Sequence, residues 1–507
     1  MGGATIGYSL ARQGFRILYL EKGRANIATG RPQEAPKQPD ARLNNGLWPD
    51  PALITEDGVA RTTFAPLGCG PGGSTLLYAA ALERFERIDF EPVGNVAHPT
   101  GGWPVSYGEM RPFYEQAEAL YRVRGTRDPL GDQIAPCIRR PPPASEQDGL
   151  FMRDFAGAGL HPYRLHVGIE YRPGCEECLG FVCPSGCKSD AATICLAPAT
   201  QEYGATLWTD CEVERLIPSA GRITAVEYRR NGAMHRVSGR AIILAAGTYR
   251  SAALLLASAC PEWPQGVANG SGLVGRNLMF HSADWIAIWP RRRGSARGPR
   301  KTIGSRAFYL HDGERLGSLQ SMGISAGYGN VLMFLYDWLD RSPLRHFRFI
   351  RPFLRIPAKI AARLFGPATL FATITEDIGK PENRLELDPD DPRRIIVRYR
   401  ITDELKARSQ ATRRLLRRHL AGFRMFRLHN RPVNIDYGHP VGTCRFGSDP
   451  RNSVLDRNCR THELANLYVV DGSFMPSSGA TNPSLTIAAN ALRVGEAVGA
   501  ALRTETL

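Results

Sequence analysis

Residues 1–23, MGGATIGYSLARQGFRILYLEKG, restrict the fold more tightly than any other stretch of the chain. Small residues lead into an amphipathic helical pattern over about 4–13, Gly14 ends it, and 15–20 reads as a short apolar strand with Glu21 at its tip. Glycine, helix, strand and acid in that order form the second half of a dinucleotide-binding βαβ unit. Gly3 fits the last glycine of G-x-G-x-x-G, and Glu21 lies where a carboxylate reaches a ribose hydroxyl. The strand and the two glycines that open such a unit are absent from the sequence. A central parallel strand is buried on both faces. Its two neighbours are therefore expected to stand open, and the natural protein is expected to start upstream, with any targeting signal in that piece.

The remaining elements follow from punctuation and periodicity. Residues 24–62 are polar and Pro-rich and read as an extended excursion. In LGCGPGGSTLLYAAALERF the glycines crowd a loop, and Ser74 is placed to cap a following apolar helix whose free N–H groups suit a phosphate or a ring oxygen. WPVSYGEMRPFYEQAEALYRV predicts a helix over 107–121 capped by Ser106. Residues 125–148 read as a surface connection. A strand–turn–strand pattern spans about 206–245; its last run, 241–246, ends at Gly247, with a helix from Ser251 onward. Such a second strand–glycine–helix unit often closes over a bound nucleotide. In 283–434, segments such as FATITED and RIIVRYRIT alternate in the manner of an antiparallel sheet, with a helix over 403–423. This part is taken as the substrate side.

The chain's 507 residues suffice for two or three domains or one interwoven body. The net charge of +15 is dispersed and no nucleic-acid-binding motif is present, so nucleic acid is not an expected partner. No run of about 18 apolar residues marks a spanning helix. Cytoplasmic, periplasmic and membrane-peripheral settings stay open.

Chemistry concentrates in the last seventy residues. YGHPVGTCRFG sets His439 in a Gly- and Pro-rich bend, and VVDGSFMPSSGATNPSLTIAANALR sets Asn482 before Pro483 and a helix, after an apolar strand that ends at Asp471. A neutral imidazole can accept a hydroxyl proton, and a carboxamide can donate to the developing alkoxide. Together they suit removal of hydride from an alcohol carbon, each contributing roughly 2–4 kcal/mol of barrier lowering.

Taken together, the nucleotide unit around Gly3 and Glu21, the GPGGST loop, AAGTYRSAALLL and the block from His439 to Arg493 resemble the glucose–methanol–choline family of flavin oxidoreductases, in the family's order. WPVSYGEMRPFY and EDIGKPENRLELD look like further family segments, so the resemblance spans nearly the whole chain. It implies an α/β fold in which a Rossmann-like FAD-binding domain (1–90, 190–282 and 435–507) is intertwined with a substrate domain built on an antiparallel sheet (91–189 and 283–434). It implies His439 and Asn482 as the catalytic pair, Gly3 and Glu21 at the ADP, Gly72, Gly73 and Ser74 beside the flavin, Val213 at the adenine, Gly247 near the nucleotide, and Asp471 and Gly472 near the flavin's polar chain. FAD is expected to be non-covalent, because STLLY after the glycine pair holds no His. The implied activity is oxidation of an alcohol to a carbonyl. An oxygen-using oxidase, a redox-neutral lyase and an inactive flavoprotein are the alternatives on the same scaffold.

Two features are left over. Cys175, Cys178, Cys183 and Cys187 cluster in CEECLGFVCPSGCKSD; an iron–sulfur cluster, zinc, two disulfides and free thiols are all open to such a set. Bacterial relatives that pass electrons to a cytochrome carry a Cys group before a C-P-x-G step. Cys183-Pro184-Ser185-Gly186 matches that step while the flanking spacing departs from it, which favours a dehydrogenase with a quinone or cytochrome acceptor. The basic stretch 291–301 reads as a solvated loop. The stretch 341–365 has seven Lys/Arg and no acid among Phe, Leu and Ile. It suits peripheral contact with an anionic membrane, or a partly buried helix pair or substrate-channel lid with a solvated Arg face, and Pro352 and Pro357 are expected to break any continuous helix there.

Overall fold

Helix Gly2–Arg12 buries Ala4, Ile6, Leu10 and Ala11 along one side, and Gly14, at φ +87°, stops it. Its glycines let it press onto the strands beneath. A Cβ at Gly2 would meet the carbonyl oxygen of Val470 at 2.0 Å, and one at Gly3 would meet the Cβ of Ala245 at 2.7 Å. The strand that follows is shorter than its apolar run, Leu18–Leu20, and pairs in parallel with Thr206–Trp208. Residues 1–32, 36–131, 135–325, 327–342, 344, 347–429 and 431–504 are described in this computed structural model.

A second parallel pair, Ile242–Leu244 with Leu467–Val469, lies across the cavity from the first. The two pairs are separate two-stranded sheets, and Leu18–Leu20 and Ile242–Leu244 both line the space between them. Leu18, Tyr19, Leu20, Ile242 and Ile243 are accordingly half-buried, whereas parallel strands in a doubly covered sheet are normally buried on both faces. The antiparallel meander Cys211–Ser219, Arg222–Arg230 and Ala233–Val237 continues this part, as the strand–turn–strand pattern indicated.

The substrate side is an eight-stranded antiparallel sheet that includes Trp285–Ile288, Thr369–Thr375 and Gly317–Ser325, joined by Met279–Ser282 and Ile435–Val441. Strands therefore enter it from both sides of the expected domain boundaries. Ala372 stands opposite Trp285 on one side and Gln320 on the other, which sets these three side chains in a row across the sheet. Arg315, buried between Asp89 and Glu376, and Arg306, bonded to Glu83, bind this sheet to segment 83–89. Removing one partner of such a buried pair costs about 3–5 kcal/mol.

Several elements depart from the sequence reading. Residues 24–62 hold the hairpin Ala52–Glu56/Val59–Thr63, turned at Asp57 and Gly58 with φ +48° and +82°. The Asp-Gly turn signal was present but lay in Pro-rich surroundings. RIIVRYRIT supplies Ile395–Tyr399, which pairs in parallel with Ala52–Glu56 in a separate four-stranded sheet instead of joining the large one. Ser74 caps no long helix: Gly73–Leu76 is a single 3₁₀ turn, and the Ser74 hydroxyl accepts the Gly68 N–H at 3.0 Å. Helix Tyr107–Leu120 forms as expected, with a reciprocal Ser106–Glu109 capping box. The helix expected over 403–423 is Asp403–His419. Ser484–Arg503 is apolar and long enough to cross a membrane, but 72% of its most apolar window is buried against the rest of the protein.

A two-stranded pair is marginal by itself. Amides of Leu18–Leu20 and Ile242–Leu244 are expected to exchange with deuterium at least about tenfold faster than those of Thr369–Thr375. Equal protection in all three would mean that the parallel pairs are braced as firmly as the large sheet.

Candidate active site

Gly3, Glu21, Gly72, Gly73, Ser74, Val213, Gly247, His439, Asp471, Gly472 and Asn482 all line one cavity of about 2260 Å³. Its dinucleotide end is built from turns. Glu21 accepts the Gly23 N–H at 2.7 Å; desolvation raises its pKa, and the N–H groups of Gly23 and Gly70 offset part of that rise. Asp471 accepts the N–H groups of Gly247 and Ser473, each at 3.0 Å, and the hydroxyls of Ser251 and Ser473. Thr248, next to Gly247, donates to the carbonyl of Pro440 at 2.6 Å. The residue after His439 is thereby fixed to the turn that Asp471 holds. A Cβ at Gly472 would meet Thr248 Oγ1 at 2.9 Å, so a small residue is required there.

His439 lies on Ile435–Val441, and His281 lies on the adjacent antiparallel strand Met279–Ser282. His281 Nε2 is 3.1 Å from the carbonyl oxygens of both Ser478 and Gly479, so that nitrogen carries hydrogen. Burial first, and then the neighbouring His439, push the pKa of His281 from 6.5 down to about 3. The ring is therefore neutral at neutral pH and its Nδ1 is a bare acceptor. His439 Nδ1 sits 3.1 Å from that acceptor and must be the donor, with the Asp436 carboxylate 3.5 Å from the same nitrogen. The tautomer that results leaves Nε2 of His439 with its lone pair free. His281 also grips the backbone three and four residues before Asn482, so one imidazole locates both members of the expected pair. Asn482 is buried, and its Oδ1 has no hydrogen-bond partner within the protein.

Nothing in the residue pattern marked His281, which sits in a fully buried four-residue strand with no alternation. The pattern also missed the far wall of the cavity, formed by Trp285, Ala372, Gln320, Met322, Ile374 and Lys301. Lys301 corrects the reading of 291–301 as a solvated loop. Its side chain is buried and donates to the carbonyl of Ser321 at 3.3 Å, and desolvation lowers its pKa to about 8.

The four clustered cysteines do not form the iron–sulfur ligand set that their spacing had left open. All are free thiols, and no group of three or more His, Cys, Asp or Glu side chains is arranged to hold a metal among the described residues. The thiols interact in two pairs instead, Cys175 with Cys187 and Cys178 with Cys183. Burial opposes ionisation of Cys183, but the N–H groups of Lys188, Cys187 and Ser185 converge on its sulfur and bring its pKa below 9.0. Burial raises Cys175 to about 12 and Cys178 to about 11.

The residues fit FAD. The first turn of Gly2–Arg12 has no acidic side chain and opens on the cavity, as a phosphate needs. Glu21 is a desolvated acceptor suited to sugar hydroxyls, Gly72 and Gly73 at φ +105° and +56° allow close backbone approach, and the Asn482 oxygen is buried without a partner.

Residues 60–283 and 380–491 match two family models, each described as GMC oxidoreductase. The chain is 29% identical to 6'''-hydroxyparomomycin C oxidase of Streptomyces lividus, over 99% of this chain and 90% of that protein. It is 28% identical to 2-methyl-1,2-propanediol dehydrogenase of Mycolicibacterium austroafricanum, over 98% and 93%. The fold is that of the crystal structure of a pyridoxine 4-oxidase, with a TM-score of 0.64 over 98% of this chain and 97% of that one, at 20% identity.

Two outcomes follow from the site's electrostatics. Cys183 is expected to react with iodoacetamide ahead of Cys175 and Cys178 by peptide mass spectrometry; equal labelling would mean that the three N–H groups do not hold its thiolate. His281 has a depressed pKa, so the stability it contributes is complete above pH 6.5 and is lost as the pH falls towards about 3. His281→Asn is expected to lower the melting temperature at pH 7 and to narrow the drop between pH 7 and pH 4 (approximate buffer values). An unchanged drop would place the acid sensitivity elsewhere.

Proposed function

This chain belongs to the GMC oxidoreductase family, and we propose that it oxidises a primary or secondary alcohol to a carbonyl compound, with His439 receiving the hydroxyl proton. Its homologues are alcohol oxidases and dehydrogenases, and it is an enzyme of that kind, acting on CH–OH donors. The observation that carries the His439 assignment is the tautomer chain: two carbonyls fix His281, and neutral His281 requires His439 to donate through Nδ1. Family members bind FAD, which when bound takes up the hydride from the alcohol carbon.

The protein supplies three things. His439 Nε2 takes the hydroxyl proton as negative charge grows on the oxygen, and Asp436, 3.5 Å from the other ring nitrogen, stabilises the imidazolium that results. The Asn482 carboxamide donates to the same developing alkoxide. The row Trp285–Ala372–Gln320 forms a wall that offers the alcohol both apolar contact and an amide.

Of the two relatives compared, one is named an oxidase and the other a dehydrogenase. We favour a quinone or cytochrome as the acceptor over oxygen. The support is the C-P-S-G step at 183–186. Non-covalent FAD follows from the absence of His in STLLY.

An anaerobic panel of sugars, polyols and simple diols is expected to contain at least one compound that bleaches the oxidised-flavin absorbance. His439→Ala should slow that bleaching by about 10²–10⁴-fold at unchanged flavin content. Turnover without bleaching would replace this reading with a redox-neutral lyase. Reoxidation of the bleached protein should be faster with a soluble quinone than with air, and the reverse order would make it an oxidase.

A further inference from the structure

An excursion from the eight-stranded sheet carries three helical elements, Tyr328–Arg341, Arg348–Leu354 and Arg355–Phe365. Pro352 falls in the middle 3₁₀ element, and Pro357 is absorbed in the first turn of the last helix, where proline is tolerated. Arg355–Phe365 has three distinct faces. Ala358, Ala361, Ala362 and Phe365 lie on the body of the protein and are buried or half-buried. Ile356, Ile360 and Leu364, spaced by four, form an outward apolar stripe that Phe353 and Phe349 extend. Arg355, Lys359 and Arg363, each one position earlier, form an exposed basic stripe beside it.

Phe349, Phe353, Ile356, Ile360 and Leu364 each expose more than half of their surface, and Phe347, Leu344, Trp338 and nearby Phe426 are exposed too. A solvated helix face would be polar at these positions, and a lid would turn them inward. No carboxylate pairs with Arg355, Lys359 or Arg363 among the described residues, and no acidic residue occurs between 341 and 365. Apolar side chains facing out and cations alongside them match a bilayer surface bearing anionic headgroups, with the apolar stripe among the acyl chains and the basic one among the phosphates.

We propose that Arg348–Phe365 docks this protein on an anionic membrane surface. The location gives the docking a use. Val331 and Phe365 of the excursion pack against the cluster of Met322, Ala368, Leu370 and Ala372, with Trp285 and Ile324. Trp285, Met322, Ile324 and Ala372 also line the cavity. The excursion thus packs beside the cavity, on the sheet face that lines it, so molecules partitioned in the lipid reach the same side of the protein. The proposal stands on the exposed stripes alone and does not depend on the alcohol-oxidising reading.

Flotation of the purified protein with vesicles tests it. The bound fraction is expected to rise at least about tenfold from pure phosphatidylcholine to about three parts phosphatidylcholine and one part phosphatidylglycerol, and to fall again in high salt. Ile356→Ser/Ile360→Ser/Leu364→Ser and Arg355→Gln/Lys359→Gln/Arg363→Gln should each abolish the rise while leaving circular dichroism and flavin content unchanged. The proposal is overturned by equal binding to neutral vesicles, or by binding that both triple variants retain. It is also overturned by a concentration-dependent dimer that the serine variant dissolves while vesicles bind nothing, because a second copy would then cover the stripe.

Discussion

The Asp471 carboxylate, buried where three chain segments meet, accepts four hydrogen bonds from Gly247, Ser251 and Ser473. A buried carboxylate is costly unless its lone pairs are used, and hydrogen bonds to a charged acceptor contribute about 1.5–3 kcal/mol each. Gly247 ends one parallel strand, and Asp471 follows closely on its partner strand, so this one group fixes the carboxyl edge of the pair. Thr248 then holds Pro440, and with it the strand that carries His439. The geometry at the cavity is a consequence of satisfying that carboxylate.

His281 plays the corresponding part on the substrate side. A buried histidine that cannot ionise is a rigid two-ended connector, donor at one nitrogen and acceptor at the other. One end takes the backbone before Asn482 and the other takes His439. His439 and Asn482 lie 43 positions apart in the sequence, yet a single ring contacts both the one and the backbone before the other. The proton on His439 Nδ1 is thus placed by the fold itself.

The residues named from the sequence line one cavity, and several of them were marked by neighbouring glycine or proline. Gly3, Gly72, Gly247 and Gly472 stand where a side chain would clash or a positive φ is needed, and Asp471, His439 and Asn482 sit beside Gly or Pro at the ends of apolar runs. Partners chosen by long-range pairing were not legible. His281 looks like any residue in a buried strand, Ile395–Tyr399 gives no hint that it selects Ala52–Glu56, and the wall of Trp285, Ala372 and Gln320 exists because three strands share a register. The cysteine spacing left iron–sulfur, zinc, disulfides and free thiols open, and only the fold decides among them: the thiols are free and the loop sets them in two couples.

The parallel pair of Ile242–Leu244 with Leu467–Val469 joins segments more than two hundred residues apart. On the ribosome, the first of these strands emerges long before its partner is made. Its free edge is expected to wait for a partner through much of synthesis. The yield of this protein is therefore expected to respond to conditions that protect an unpaired strand edge until the last segment joins it.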